Sequence, residues 1–404
     1  MTLNFDHLPF FDHHTHLLFT DKTKITAKEL SMNFLHGYQD MDPFEQGLDA
    51  TYAHGRASER QLENIENLGV VKTVVNYMSQ FLGCEPTIEA VVEARNERIK
   101  DVEGLKKYTK DLYEDQNIVG TLVDWPFNED VENESVFPVP VYRMYNYEDV
   151  YFEQLKTASS FEELMTVLTK SVRKAINEDG YIALKCHVAE HYTMAVRNVT
   201  DEEAAIQFVA AQNGDYTALE NVYFAAFRNL MFEAQDLDVP IHIHVGSTGF
   251  NRQSAAFVPE MDPFQFAPFL VSDPQYVKTK IVLLHQGYPY TRHASLMAYS
   301  FPNVYVDMSW TLPWASSIFC SCIEDVLSTA PHTKIFFGTG QHGLPEIAWT
   351  ASKVAKTCLA EVMNKMVSLN LMAPSQAEET AKMLLYKNAE ALYDSKKKAL
   401  SNIR

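Results

Sequence analysis

Eight short apolar segments, each bounded by a turn signal or followed by helical spacing, recur along this chain rather than clustering in one half. They are His7 to Asp12, Val70 to Tyr77, Ile118 to Val123, Tyr181 to Cys186, Val239 to Val245, Lys280 to His285, Val304 to Asp307 and Lys334 to Phe337. Helically spaced stretches lie between most of them, among them Glu202 to Gln235, Thr291 to Ser300, Pro313 to Thr329 and Pro345 to Asn370. Strands that alternate with helices pair in parallel and need helices to cover them. Eight such repeats match a (β/α)8 barrel more closely than an open doubly wound sheet.

About sixty residues separate the first two segments, and a similar number the third and fourth. Both gaps hold helical patterns, Thr26 to His36 and Tyr147 to Lys170, that could cover a barrel mouth. The expected fold class is therefore α/β, a (β/α)8 TIM-type barrel with helical insertions after strands 1 and 3. No linker, low-complexity run or close repeat divides the 404 residues, so 1–404 is read as a single domain.

Composition excludes several classes of function. Lys plus Arg number 34 against 53 Asp plus Glu, a net charge of −19 that repels nucleic acid and anionic lipid alike. The five cysteines are odd in number and lack a C-x-x-C pair, which argues against a disulfide framework or zinc ribbon and for a reducing compartment. The first residues carry no basic region followed by an apolar run, and no apolar stretch is long enough to span a membrane. A soluble cytoplasmic protein acting on a small molecule is expected, with no nucleic-acid or membrane partner and with a homo-oligomer left open.

In a barrel the reacting groups sit at the C-terminal ends of the strands, and here those ends are rich in histidine. The first segment runs into Asp12-His13-His14-Thr15-His16, the fifth reads Ile241-His242-Ile243-His244-Val245, and the sixth ends at His285. Residues two apart on a strand point to one face, so His14 and His16 project together, as do His242 and His244. Neutral imidazoles converging from different strands suit a borderline divalent ion with one position open. Lys185 ends an otherwise apolar fourth segment and needs a partner or a shifted pKa if buried.

Asp12-x-His14-x-His16, Lys185, His244 and His285 resemble the metal-dependent amidohydrolase superfamily. His285-Gln-Gly-Tyr-Pro-Tyr-x-Arg292, Pro302-Asn-Val-Tyr-Val-Asp307 and Phe337-Gly-Thr-x-x-His342-Gly-x-Pro-Glu346 resemble more narrowly the branch found alone or fused to glutamine-synthetase-like domains. The resemblance runs from about residue 7 to about residue 390. It implies one or two divalent ions, zinc or manganese, with His14, His16 and His244 as ligands. It also implies that Lys185 bridges two ions as a carbamate in binuclear members, and that His285 is a ligand or a substrate polariser.

One position departs from the pattern. The family closes strand eight with an aspartate that touches the metal and takes a proton, whereas this chain has Gly340. Asp307, Gln341 and His342 are the nearby groups that could replace that base. The candidate catalytic residues are therefore His285, Asp307 and His342; the metal residues His14, His16, Lys185 and His244; and the substrate-binding residues His242, Tyr288, Arg292, Trp310 and Glu346. The favoured activity is a metal-dependent hydrolase cutting an amide or other C–N bond through a metal-activated water. A metal-dependent decarboxylase or other lyase, and a ligand-binding barrel without catalysis, are the alternatives.

Two further patterns compete. Gly338-Thr-Gly340-Gln-His-Gly343 has the form of a dinucleotide fingerprint, but no later strand supplies the acidic residue that should hold a ribose. His187-Val-Ala-Glu190-His191 has the H-x-x-E-H form, and in a helix would place both histidines on one face. Trp125, Tyr288, Tyr290 and Trp310 fall just past strand ends, where they line a pocket or join the core.

Overall fold

A computed structural model describes residues 2–34, 67–125, 135–246, 258–309 and 318–401. Eight parallel strands form one sheet in sequence order: β1 Phe10–Thr15, β2 Ile118–Trp125, β3 Val141–Asn146, β4 Tyr181–Cys186, β5 Ile241–Ile243, β6 Ile281–Leu283, β7 Val304–Asp307 and β8 Ile335–Phe336. The chain beyond β8 returns to β1 through His13 N to Phe337 O (3.1 Å), Gly340 N to His14 O (2.8 Å) and His16 N to Gln341 O (2.8 Å). These bonds bring the ring together and give the expected (β/α)8 barrel.

One expected strand is a helix, and one observed strand has no expected counterpart. Val70 to Tyr77 is part of a helix, Gly69–Leu82, that buries Val70, Val71, Val74, Val75, Met78 and Leu82. That spacing is helical, and the run of β-branched valines hides it. The third strand of the barrel is instead Val141–Asn146, which pairs with β2 and β4 and was not anticipated. Ile118 to Val123 is thus the second strand, and it extends to Trp125. The eightfold count survives because one false strand offsets one missed strand.

The connection from β1 to β2 carries the helices Ala27–Phe34, Gly69–Leu82, Ile88–Arg98 and Val102–Asp115. They pack around their own apolar cluster, in which Val74, Met78, Val91 and Leu112 meet Leu344, Ile347 and Trp349 of the segment after β8. Two helices, Glu148–Thr157 and Phe161–Asn177, follow β3. The stretch from Glu202 to Gln235 is two helices, Asp201–Gln212 and Tyr216–Asp236, with Gly214 between them at φ +86°. The expected Thr291–Ser300 helix is present with those bounds.

Phe11, Leu122, Met144, Ile182, Val282 and Phe336 pack in one cluster with Ala389 and Tyr393 of the last helix, Asn388–Ser401. Among the described residues no helix is long and apolar enough to cross a membrane.

Candidate active site

The C-terminal strand ends gather five imidazoles. The His14 ring lies 5.1 Å from that of His16 and 5.3 Å from that of His285, and the His244 ring lies 4.3 Å from that of His285. Lys185 Nζ comes within 3.4 Å of His14 Nε2. Asp124, at the end of β2, places Oδ2 3.8 Å from Lys185 Nζ and 3.9 Å from His16 Nδ1. The His342 ring stacks on His16 at 3.6 Å, and His244 Nδ1 pairs with Glu190. Six of the sequence candidates, His14, His16, Lys185, His244, His285 and His342, therefore share one face of the barrel.

Local backbone explains how they fit. His285 and Gln286 adopt φ +59° and +49° directly after β6, which turns the His285 ring toward Ser309. A Cβ on Gly338 would lie 2.7 Å from His14 N and 2.9 Å from Ser309 Cβ, so only glycine lets the strand-eight extension pass this close to β1 and β7.

Burial dominates the electrostatics. It lowers His14 and His285 well below the ordinary imidazole range, and Lys185 adds to the effect on both. It pulls Lys185 down as well, against the attraction of Asp124, and raises the Asp124 carboxyl despite Lys185. Burial also lifts the Asp12 carboxyl to about 7, although Thr339 donates to it through both its backbone N–H (2.8 Å) and its hydroxyl (2.6 Å).

These residues fit a divalent ion. His14 Nδ1 is buried with no hydrogen-bond partner among the described residues. His285 Nδ1–H donates to Ser309 O at 3.2 Å, which fixes its tautomer and leaves the ring lone pair on Nε2. Imidazoles held neutral by burial are in the form that binds metal.

A second polar chain runs deeper in the barrel. Asp307 Oδ2 accepts from His13 Nδ1 at 2.9 Å, Tyr393 O–H donates to His13 Nε2 at 3.0 Å, and His242 Nε2–H donates to the Tyr393 oxygen at 2.7 Å. His13 is sandwiched between Phe336 at 4.2 Å and His242 at 5.0 Å. His242 therefore joins this fully buried layer and does not accompany His244. Asp307 also accepts from the Ser309 backbone N–H at 2.8 Å and from its hydroxyl, so it stands behind Ser309 and His285.

Other candidates are placed elsewhere. Arg292 is exposed on its helix and bonds Asp325 at 2.9 Å. Glu346 is buried against Arg95. Tyr288 is half-buried just past His285, and Trp310 lies outside the described residues. Gly340 carries no acid and sits at φ +63°. Asp124 has no signal in the sequence, since the apolar run ends at Val123 and the strand continues two residues further to Trp125. His13 and Ser309 were missed as well, because their parts depend on Asp307, 294 residues from His13, and on His285, 24 residues from Ser309.

A family model described as amidohydrolase (Amidohydro_2) matches residues 172–395. Protein fluG of Emericella nidulans is 33% identical over 121 residues, which cover 30% of this chain and 14% of that protein. The match thus spans well under two thirds of the curated relative. A Lactobacillus casei ATCC 334 protein named as a metal-dependent hydrolase has a similar structure, with a TM-score of 0.80 at 18% identity over 98% of this chain and 99% of that one. Glucuronate isomerase from Caulobacter crescentus has a TM-score of 0.66 at 17% identity, covering 96% and 92% of the two chains. At these identities the likeness to solved structures is one of fold.

Proposed function

This chain belongs to the amidohydrolase family, and from that premise we propose that it is a metal-dependent enzyme hydrolysing an amide or other C–N bond of a small molecule. The observation that carries this reading is the gathering of His14, His16 and His285, with Lys185 and Asp124 beside them, at the C-terminal strand ends. His14, His16 and His244 would hold one or two divalent ions, zinc or manganese, with Asp124 adding negative charge beside them and Lys185, carboxylated by carbon dioxide with loss of a proton, adding a further anionic group if two ions bind. A bound ion supplies Lewis acidity, which polarises a substrate oxygen and acidifies water.

The remaining work falls to the chain's own side chains. His285 presents its Nε2 lone pair to the mouth because Ser309, held by Asp307, takes its Nδ1–H. That nitrogen accepts or returns a proton at the substrate. His342, stacked on His16, is the second proton carrier, since Gly340 offers none. Tyr288 borders the substrate space.

Gly340 favours a second reading, a lyase or decarboxylase in which an ion orients a substrate carboxylate and His285 manages the proton. Chelator-stripped and metal-reloaded protein compared on a panel of amides, esters and carboxylic acids tests both. Hydrolysis that returns with metal supports the first reading, and metal-dependent release of carbon dioxide supports the second. A panel without metal-dependent turnover overturns both and leaves a binding barrel.

A further inference from the structure

The His187-Val-Ala-Glu190-His191 pattern borders the histidine group above through Glu190 and His244, and the fold brings its own two histidines to a third ligand, the Glu148 carboxylate. Glu148, buried at the start of the Glu148–Thr157 helix, places Oε2 2.5 Å from His187 Nδ1 and 3.6 Å from His191 Nε2. His187 caps the single helical turn Val188–His191, so the two histidines, four apart, reach the same side. Among the described residues, these three are the group whose donor atoms all lie within 4.8 Å of one another.

The carboxylate is oriented from behind. Its Oε1 accepts from the His187 backbone N–H at 2.8 Å and from the Tyr223 hydroxyl, so Oε2 is the oxygen turned to both rings. Such outer bonds are what fix a ligating carboxylate. Two imidazole nitrogens and one carboxylate oxygen form the three-ligand set of zinc sites that keep a fourth position open. The His191 side chain is 35% exposed, which gives an ion access from solvent.

We propose that Glu148, His187 and His191 form a divalent-cation site suited to zinc, separate from the His14, His16 and Lys185 group. It goes beyond the proposed function and stands whether or not the strand-end group binds metal. The ion fastens the segment after β4 to the helix after β3. Glu190 lies between the two histidine ligands in sequence and pairs with His244, whose ring is 5.4 Å from that of His187. Occupancy therefore fixes Glu190 and, through it, the orientation of His244.

The test is zinc titration of the full metal-free chain, with bound metal counted by elemental analysis after gel filtration. The His187→Ala/His191→Ala variant should bind one equivalent fewer than wild type, and His14→Ala/His16→Ala should keep that equivalent. Wild-type stoichiometry in a folded His187→Ala/His191→Ala variant overturns the site. Should that variant not fold, anomalous scattering at the zinc edge from zinc-soaked wild-type crystals decides. A peak bounded by Glu148, His187 and His191 is expected, and a map without one overturns the proposal. Metal lost only in His14→Ala/His16→Ala refutes this site and leaves the strand-end reading standing, and the reverse result does the opposite.

Discussion

Arg95 and Glu346 form an ion pair of 2.6 Å with both side chains 1% exposed, linking the helix Ile88–Arg98 of the first insertion to the helix that follows β8. Arg95 also donates to the carbonyls of Lys22 and Thr23 just beyond β1. Glu346→Ala leaves a buried guanidinium without its counter-charge, which should cost about 3–5 kcal/mol of stability. Chemical denaturation measures it. A KM change with stability intact would instead make Glu346 a substrate contact.

Asp124 Oδ2 lies within 4 Å of both His16 Nδ1 and Lys185 Nζ. Asp124→Asn keeps its shape and removes its charge, so metal affinity should fall by about 10- to 100-fold, as measured by competition with a chromophoric chelator. Unchanged affinity would remove Asp124 from the metal's surroundings.

Gly340→Asp restores an acid at the end of strand eight. Its φ of +63° is a region that aspartate tolerates better than most residues, at a cost of about 1–2 kcal/mol. The variant should bind metal more tightly. It should also hydrolyse a responsive substrate about a hundredfold faster or more, compared at equal metal loading. Equal or lower activity would show that proton transfer has been rebuilt around His342, Gln341 or Asp307.

Lys356 carries a pH signature. Its Nζ donates to the carbonyls of Asp6 (3.1 Å), Leu8 (2.8 Å) and Gln116 (2.7 Å), and burial pulls it from 10.5 down to about 8. Between those values the unfolded chain holds the proton that the folded chain has lost. Stability from this group therefore rises with pH across that window, by about 1.4 kcal/mol per unit, and is flat below it. Urea unfolding of wild type and Lys356→Met on either side of about pH 8 should show their difference growing only on the alkaline side. A flat difference would mean that the three carbonyls keep the ammonium charged.

Strands β4 to β8 were legible because short apolar runs there end in polar residues or turns. Ile118 to Val123 was legible as β2 in the same way, whereas the expected strand Val70 to Tyr77 is a helix and Val141–Asn146 gave no strand signal. Val70 to Val75 looks like a strand by residue type, while its burial follows a helical period. Val141–Asn146 carries Arg143 and Asn146 and is only partly buried, so it lacks the apolar run that marks its neighbours. In the site, His14 and His16 come together as alternation predicts, whereas His242 is held by Tyr393 and stacks on His13 in the buried layer while His244 meets His285. Asp124, Glu148 and Glu190 are ordinary acids in sequence, and only tertiary contact with Lys185, His187 and His244 marks them out. Motif context also gives no direction for a side chain, as Arg292 pairing with Asp325 illustrates.

The most direct measurement is the metal content of the full chain purified without chelator, compared with His14→Ala/His16→Ala at matched circular dichroism. Elemental analysis should find divalent metal in wild type and at least one equivalent less in the double variant. Equal metal in the two proteins would contradict a metal centre at these strand ends.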